Sequence, residues 1–171
     1  MRAIAPIVAG FALLGVAPGI AAGPANVAHA DELEAAVLEE LNLVRLEHGL
    51  RPLRLSPGLT AAAEFHSLDM VRVGFFGHES ADGRDFAARI RSFYRPRPRG
   101  GLWTVGENMA WQTRRLSARA AVVRWLHSPG HRENLLRARF REIGISAVRA
   151  RAPGVFGHRR VVVLTVDFGA R

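Results

Sequence analysis

Three ionisable side chains stand where burial would be costly without a partner. Glu107 lies within Gly106-Glu107-Asn108-Met109-Ala110-Trp111, His131 follows the turn Ser128-Pro129-Gly130, and His78 follows Gly77 in a phenylalanine-rich loop. A carboxylate among large apolar residues, or an imidazole beside a turn, persists there only if it meets hydrogen-bonding groups. Two neutral imidazoles and a carboxylate from separate segments could hold a divalent ion such as zinc, with His78 and His131 as its first ligands and positions left open. They could equally hydrogen-bond one another and shape a binding cleft. Hydrolysis would ask for a nucleophile beside a base. Ser128 stands three residues before His131 and Ser80 stands near His78, but Ser128 also reads as the cap of a short helix. No Gly-x-Ser-x-Gly elbow and no His-Glu-x-x-His zinc helix is present. Asn108, beside Glu107, reads as a cleft residue that ties neighbouring backbone rather than touching the ligand, and Ser128 is counted with the cleft as well.

The elements that must position these groups follow from periodicity. Asp31-x-x-Glu34 reads as a capping pair opening a helix whose stripe is Leu33, Val37, Leu41 and Val44, and Gly49 ends it. Ser56 as N-cap and Pro57 at the first helical position open a second helix, closed by Gly74. Its inward stripe is Leu59, Ala63, His66, Met70 and Val73, which makes His66 a hydrogen-bonded core histidine and leaves Asp69 as a surface or helix-pairing carboxylate. A loop with an Asp82-Gly83 turn leads to a third helix marked by Phe86, Ile90 and Phe93. Residues 94–101 are rich in Pro, Arg and Gly and read as an exposed, mobile loop. From Trp103 to Trp111 the alternation is that of a strand, with Glu107 among Trp103, Val105, Met109 and Trp111 on its inner face. A lone inward glutamate needs a partner. The tryptophans and Met109 read as core. Ser117 caps a helix with the stripe Ala118, Ala121, Val122 and Trp125, a short helix carries His131 to Leu136, and strands over 141–148 and 160–168 flank a turn at 154–158. Helices first and strands later, with helices inserted between them, predict an α+β fold with an antiparallel sheet.

Composition bounds the rest. The chain has 171 residues, enough for one core. Met1-Arg2, the apolar run Ala3 to Ala22 and the small-x-small triplet Ala28-His29-Ala30 predict a secretory signal over 1–30, ahead of a domain over 31–171. There is no cysteine, which excludes disulfides, thiol catalysis and thiolate metal ligands. The net charge is +9, its positive side carried on arginine alone, with clusters at Arg95-Pro96-Arg97-Pro98-Arg99, Arg114-Arg115 and Arg137 to Arg141. Such a surplus attracts polyanions. Without an aromatic stacking platform interleaved among the arginine clusters, specific nucleic-acid recognition is not expected.

Several of these motifs occur together in one order. Gly77-His78, Gly106-Glu107-Asn108-Met109-Ala110, Trp125 with Ser128-Pro129-Gly130-His131-Arg132-x-Asn134-Leu135-Leu136, and Ile143-Gly144-Ile145 resemble the CAP superfamily of cysteine-rich secretory, antigen five and pathogenesis-related proteins. The likeness is to its cysteine-free bacterial SCP-like extracellular branch. It spans Leu38 to Phe168 and takes in Asn42-x-x-Arg45 and Ala63-x-x-His66-Ser67-x-Asp69-Met70. The resemblance implies a three-layer α-β-α sandwich with a mainly antiparallel central sheet and a cleft holding two histidines and two glutamates. His78, Glu107 and His131 match three of the four, whereas the second glutamate falls on Ser128. It also implies a secreted, extracellular or periplasmic monomer. The reading favoured here is a binding module for a lipid, an envelope polymer or a protein ligand. The alternatives are a metal-dependent hydrolase at the same cleft and an electrostatic binder of anionic polymers through residues 95–99.

Overall fold

The computed structural model describes residues 27–98, 100–113 and 115–171. The signal expected over 1–30 therefore lies mostly outside the described residues, as do Arg99 and Arg114. Five strands form one sheet: β1 (Ala28–His29), β2 (Arg54–Leu55), β3 (Thr104–Gln112), β4 (Glu142–Ala152) and β5 (Arg159–Ala170). The order is β1-β4-β5-β3, antiparallel throughout, with the short β2 added parallel to β4. Helices α1 (Asp31–Glu47), α4 (Ala118–Leu126) and α5 (Pro129–Leu136) cover one face, and α2 (Pro57–Val73) and α3 (Phe86–Phe93) the other. The α+β three-layer sandwich is thus present.

Strand alternation explains the two cores. Ala110, Ile143, Ile145, Ala147, Leu164 and Val166 pack with Val37, Leu41, Val122 and Trp125 on the α1/α4 face. Met109, Val148, Ala150, Val161 and Val163 pack with Met70 and Val71 of α2 on the other. The α2 helix lies so close to β4 that a side chain on Gly144 would sit 2.0 Å from the Leu59 backbone, so only glycine fits. Buried Arg45 has no carboxylate partner among the described residues; it donates to the carbonyls of Arg51, Leu135 and Phe140, fastening the loop after α5 to α1.

Several local expectations are revised. Asp31 does not cap α1, because Ala30 holds the cap position, and Glu34 instead accepts from Ala147 N at 2.7 Å, tying helix to sheet. Ser56 and Ser128 sit at the N-cap positions of α2 and α5 but make no side-chain cap bond, whereas Ser117 and the unforeseen Asp85 do. Val73 is 57 % exposed, since the last turn of α2 rotates past the sheet. Tyr94 is fully buried, its hydroxyl donating to Glu142 at 2.5 Å, so the arginine-rich loop is anchored at its start. Ala30 is buried and bonded to Ala147 O at 2.9 Å, and Ala28–His29 pair with β4. No helix among the described residues is long and apolar enough to cross a membrane.

Candidate functional site

The site is built around β3, the strand at the free edge of the sheet. Glu107 points to the α2/α3 face and Asn108 to the α5 face, as pleating demands. A strand edge leaves carbonyls without ladder partners, and α5 supplies one: Asn134 Nδ2 donates to Glu107 O at 3.1 Å and to Asn108 Oδ1 at 2.9 Å. Asn108 Nδ2 in turn donates to His131 O at 3.1 Å, which fixes the start of α5 against the strand. This close approach accounts for Gly106, where an added Cβ would lie 2.6 Å from Asn134 Oδ1. The backbone-tying role expected of Asn108 is what the geometry shows.

On the other face, the partner that Glu107 requires is Arg89 of α3. The Arg89 guanidinium is fully buried, pairs with Glu107 Oε2, and donates to His78 O at 2.9 Å and Ser80 Oγ at 3.2 Å. Glu107 Oε1 meets His78 Nδ1 at 2.7 Å. The carboxylate is wholly buried while the His78 ring is half-exposed, so a charged group beneath orients an imidazole at the surface. With Nδ1 turned to the carboxylate, the other ring nitrogen, Nε2, has no protein partner among the described residues. His66, fully buried on α2, has Nε2 2.8 Å from Gly77 O and 4.0 Å from Glu107 Oε2, supporting the loop that carries His78. Burial, chiefly, pulls its basicity below the ordinary histidine range, so it acts as a neutral hydrogen-bonding core residue. Asp69 accepts from Ala81 N at 2.9 Å and stiffens the same loop.

Asp167 was not singled out in the sequence. In the β3–β5 register it stands directly opposite Glu107, on the same face and completely buried. Among the described residues, no donor reaches either of its oxygens. Burial first, and the Glu107 charge second, hold its carboxyl well above the usual carboxylate range, which favours the protonated form. A protonated Asp167 is a donor, and Glu107 is the acceptor facing it. Two carboxyls, one guanidinium and two histidines thus form one network with a single exposed member, His78.

His131, near the start of α5, lies close enough to His78 for a charge on that ring to act on it. Burial above all, and then His78, lower its basicity, which leaves a neutral ring at ordinary pH. Its Nδ1 is buried without a protein partner among the described residues. Ser128 is not joined to this cluster: its backbone bonds Trp125 O and Arg132 N, and its hydroxyl meets none of the group. Ser80 is held by Arg89 and not by a histidine, so neither serine stands beside a base. The residues also do not fit a three-ligand zinc site. Glu107 has both oxygens engaged, one of them by a cation, and no group of three or more His, Asp or Glu among the described residues is placed to hold a metal ion.

Comparison with known proteins agrees with the motifs. The model of the cysteine-rich secretory protein family, CAP, matches residues 38–168. Two Bacillus subtilis proteins are similar: the uncharacterised protein YkwD, 31 % identical over 120 residues, covering 68 % of this chain and 43 % of its own length, and the uncharacterised membrane protein YlbC, 29 % identical over 116 residues, covering 68 % and 32 %. The chain thus spans less than half the length of either. An extracellular Bacillus anthracis protein containing an SCP domain superposes with a TM-score of 0.63 at 26 % identity, over 82 % of this chain and 41 % of that one. An outer surface protein of Borrelia burgdorferi shares the fold, with a TM-score of 0.69 at 19 % identity over 86 % and 98 % of the two chains.

Proposed function

Because the chain belongs to the cysteine-rich secretory protein (CAP) family, we propose that it acts outside the cytoplasm as a binding module, taking a lipid, an envelope polymer or a protein ligand where His78 and His131 come together. The observation that supports this reading is the half-exposed His78 ring, held 2.7 Å from a carboxylate that is itself buried and paired with Arg89. Burying two carboxyls and a guanidinium to orient one surface imidazole is costly for a merely structural purpose. Recognition would use the outward Nε2 of His78 and the ring of His131, with Asn108 and Asn134 holding α5 in place.

A second reading, hydrolysis by an activated water, draws on the same pair, since a carboxylate behind an imidazole is the base-and-orienter half of a catalytic triad. Calorimetric titration of envelope lipid extract, soluble wall glycan fragments and anionic wall polymer separates the readings. One of these classes should bind the wild type and lose about tenfold or more in affinity in His131→Ala, with the ligand recovered unchanged. Recovery of a cleaved ligand would favour the hydrolase. Equal binding by wild type and by a His78→Ala/His131→Ala protein would remove the site from both.

A further inference from the structure

A groove of about 750 Å³ lies at the opposite end of the sheet, where β1, the β4–β5 hairpin and the loop after β3 meet. Arg115, Arg149, Arg151 and Arg160 line it, all exposed at the surface, with Val162 and Ala28 between them. The register explains their convergence. Arg151 is directly opposite Arg160, and Arg149, two residues along β4, is opposite Val162, so these four strand positions share one face. Among the described residues, none of the four guanidinium groups has an ion pair or hydrogen bond to the protein. Like charges directly opposite on neighbouring strands repel each other. The fold therefore carries a destabilising juxtaposition with nothing among the described residues to offset it.

We infer that this groove is a binding site for a phosphate-bearing ligand, separate from the histidine site and independent of the function proposed for it. Guanidinium forks match phosphate oxygens in pairs, and two forks converging from opposed strands suit a tetrahedral anion better than a planar carboxylate, which one fork already satisfies. No aromatic side chain lines the groove to stack a nucleobase, so the ligand is a phosphate or phosphodiester and not a nucleic acid read through its bases. The phosphate can come from a soluble polymer or from a lipid headgroup.

The test uses inorganic pyrophosphate, a soluble glycerol-phosphate oligomer and vesicles of phosphatidylglycerol in phosphatidylcholine. Each is titrated against the wild type, Arg151→Gln/Arg160→Gln, and Arg95→Gln/Arg97→Gln, which loses the same charge elsewhere. The wild type should bind pyrophosphate at one per chain, and the groove variant should lose about tenfold or more. The control variant should stay within about twofold. Because both groove arginines are exposed and mutually repulsive, Tm of the groove variant should be unchanged or higher, which separates lost binding from lost folding. Groove-dependent binding of the oligomer over vesicles assigns a soluble polymer, and the reverse assigns a lipid headgroup. Equal weakening in both variants, or no binding of any probe, would overturn the inference.

Discussion

Replacing Arg89 with methionine removes the cation that pairs with Glu107 beneath the site while keeping an unbranched apolar stem. The guanidinium is fully buried and holds Glu107, His78 O and Ser80 Oγ. Truncating one member of such a pair leaves an uncompensated charge in a dry interior, a loss of about 3–5 kcal/mol. Here the neighbour of that charge is a second carboxyl, Asp167, which cannot relieve it unless it keeps its proton. Against a typical stability of about 5–15 kcal/mol, Arg89→Met should fold but melt early. Adding Glu107→Gln removes the stranded charge, so the double variant should recover about 2 kcal/mol, a coupling well above the additivity error for distant sites. Urea unfolding at neutral pH, followed by circular dichroism with the m-value checked for constancy, reads both numbers. Should Arg89→Met alone not fold, a folded double variant shows the same coupling. A loss under about 1 kcal/mol, or strict additivity of the two changes, would refute the claim that Arg89 and Glu107 form the structural heart of the site.

Other outcomes follow from the same geometry. Asp167 is raised in the folded state, so folding retains a proton that the unfolded chain gives up above 3.8, and stability falls as pH rises from there towards the folded value. Asp167→Asn should abolish that slope, and wild-type and variant urea midpoints that run parallel from about pH 4 to 8 would contradict it. His131 is lowered, so the stability it contributes is complete above about pH 6.5 and is lost as pH falls below that. His131→Gln should therefore lose less Tm than the wild type between about pH 7.5 and 5, and an equal loss would count against a half-buried neutral ring. Gly106→Ala places a methyl group 2.6 Å from Asn134 Oδ1 and 3.0 Å from Phe140, and should cost about 1–3 kcal/mol by displacing α5. A change under about 0.5 kcal/mol by urea unfolding would show that the strand–helix contact is loose.

The layers and most helices were legible because apolar residues recur at helical or alternating spacing over long stretches, as in Leu33 to Val44 of α1 and Trp103 to Trp111 of β3. The sequence pattern also showed that Glu107 must face inward and must find a partner. It did not name Arg89. The available signal was position: Arg89 lies on the same helix face as Phe86 and the buried Ile90, but it is one arginine among many and its neighbours read as surface. Asp167 was hidden for a different reason. It sits in a nearly continuous apolar run, and only the β3–β5 register, fixed by long-range pairing, sets it against Glu107. Ser56 and Ser128 hold the N-cap positions that the sequence assigned them, but without the side-chain bond that usually accompanies the position. The arginine groove was equally out of reach, since Arg151 and Arg160 meet only through the hairpin pairing.

The most direct test of the central claim is a set of nitrogen spectra of the His78 and His131 rings, recorded on the free protein and again after saturation with whichever envelope fraction binds it. In the free protein, neutral His78 should carry its proton on Nδ1, facing Glu107, and Glu107→Gln should weaken that preference. On binding, the signals of both rings should shift while that of His66, sealed beneath, stays in place. A His78 ring protonated on Nε2, or a bound ligand that leaves both rings unmoved, would contradict the account.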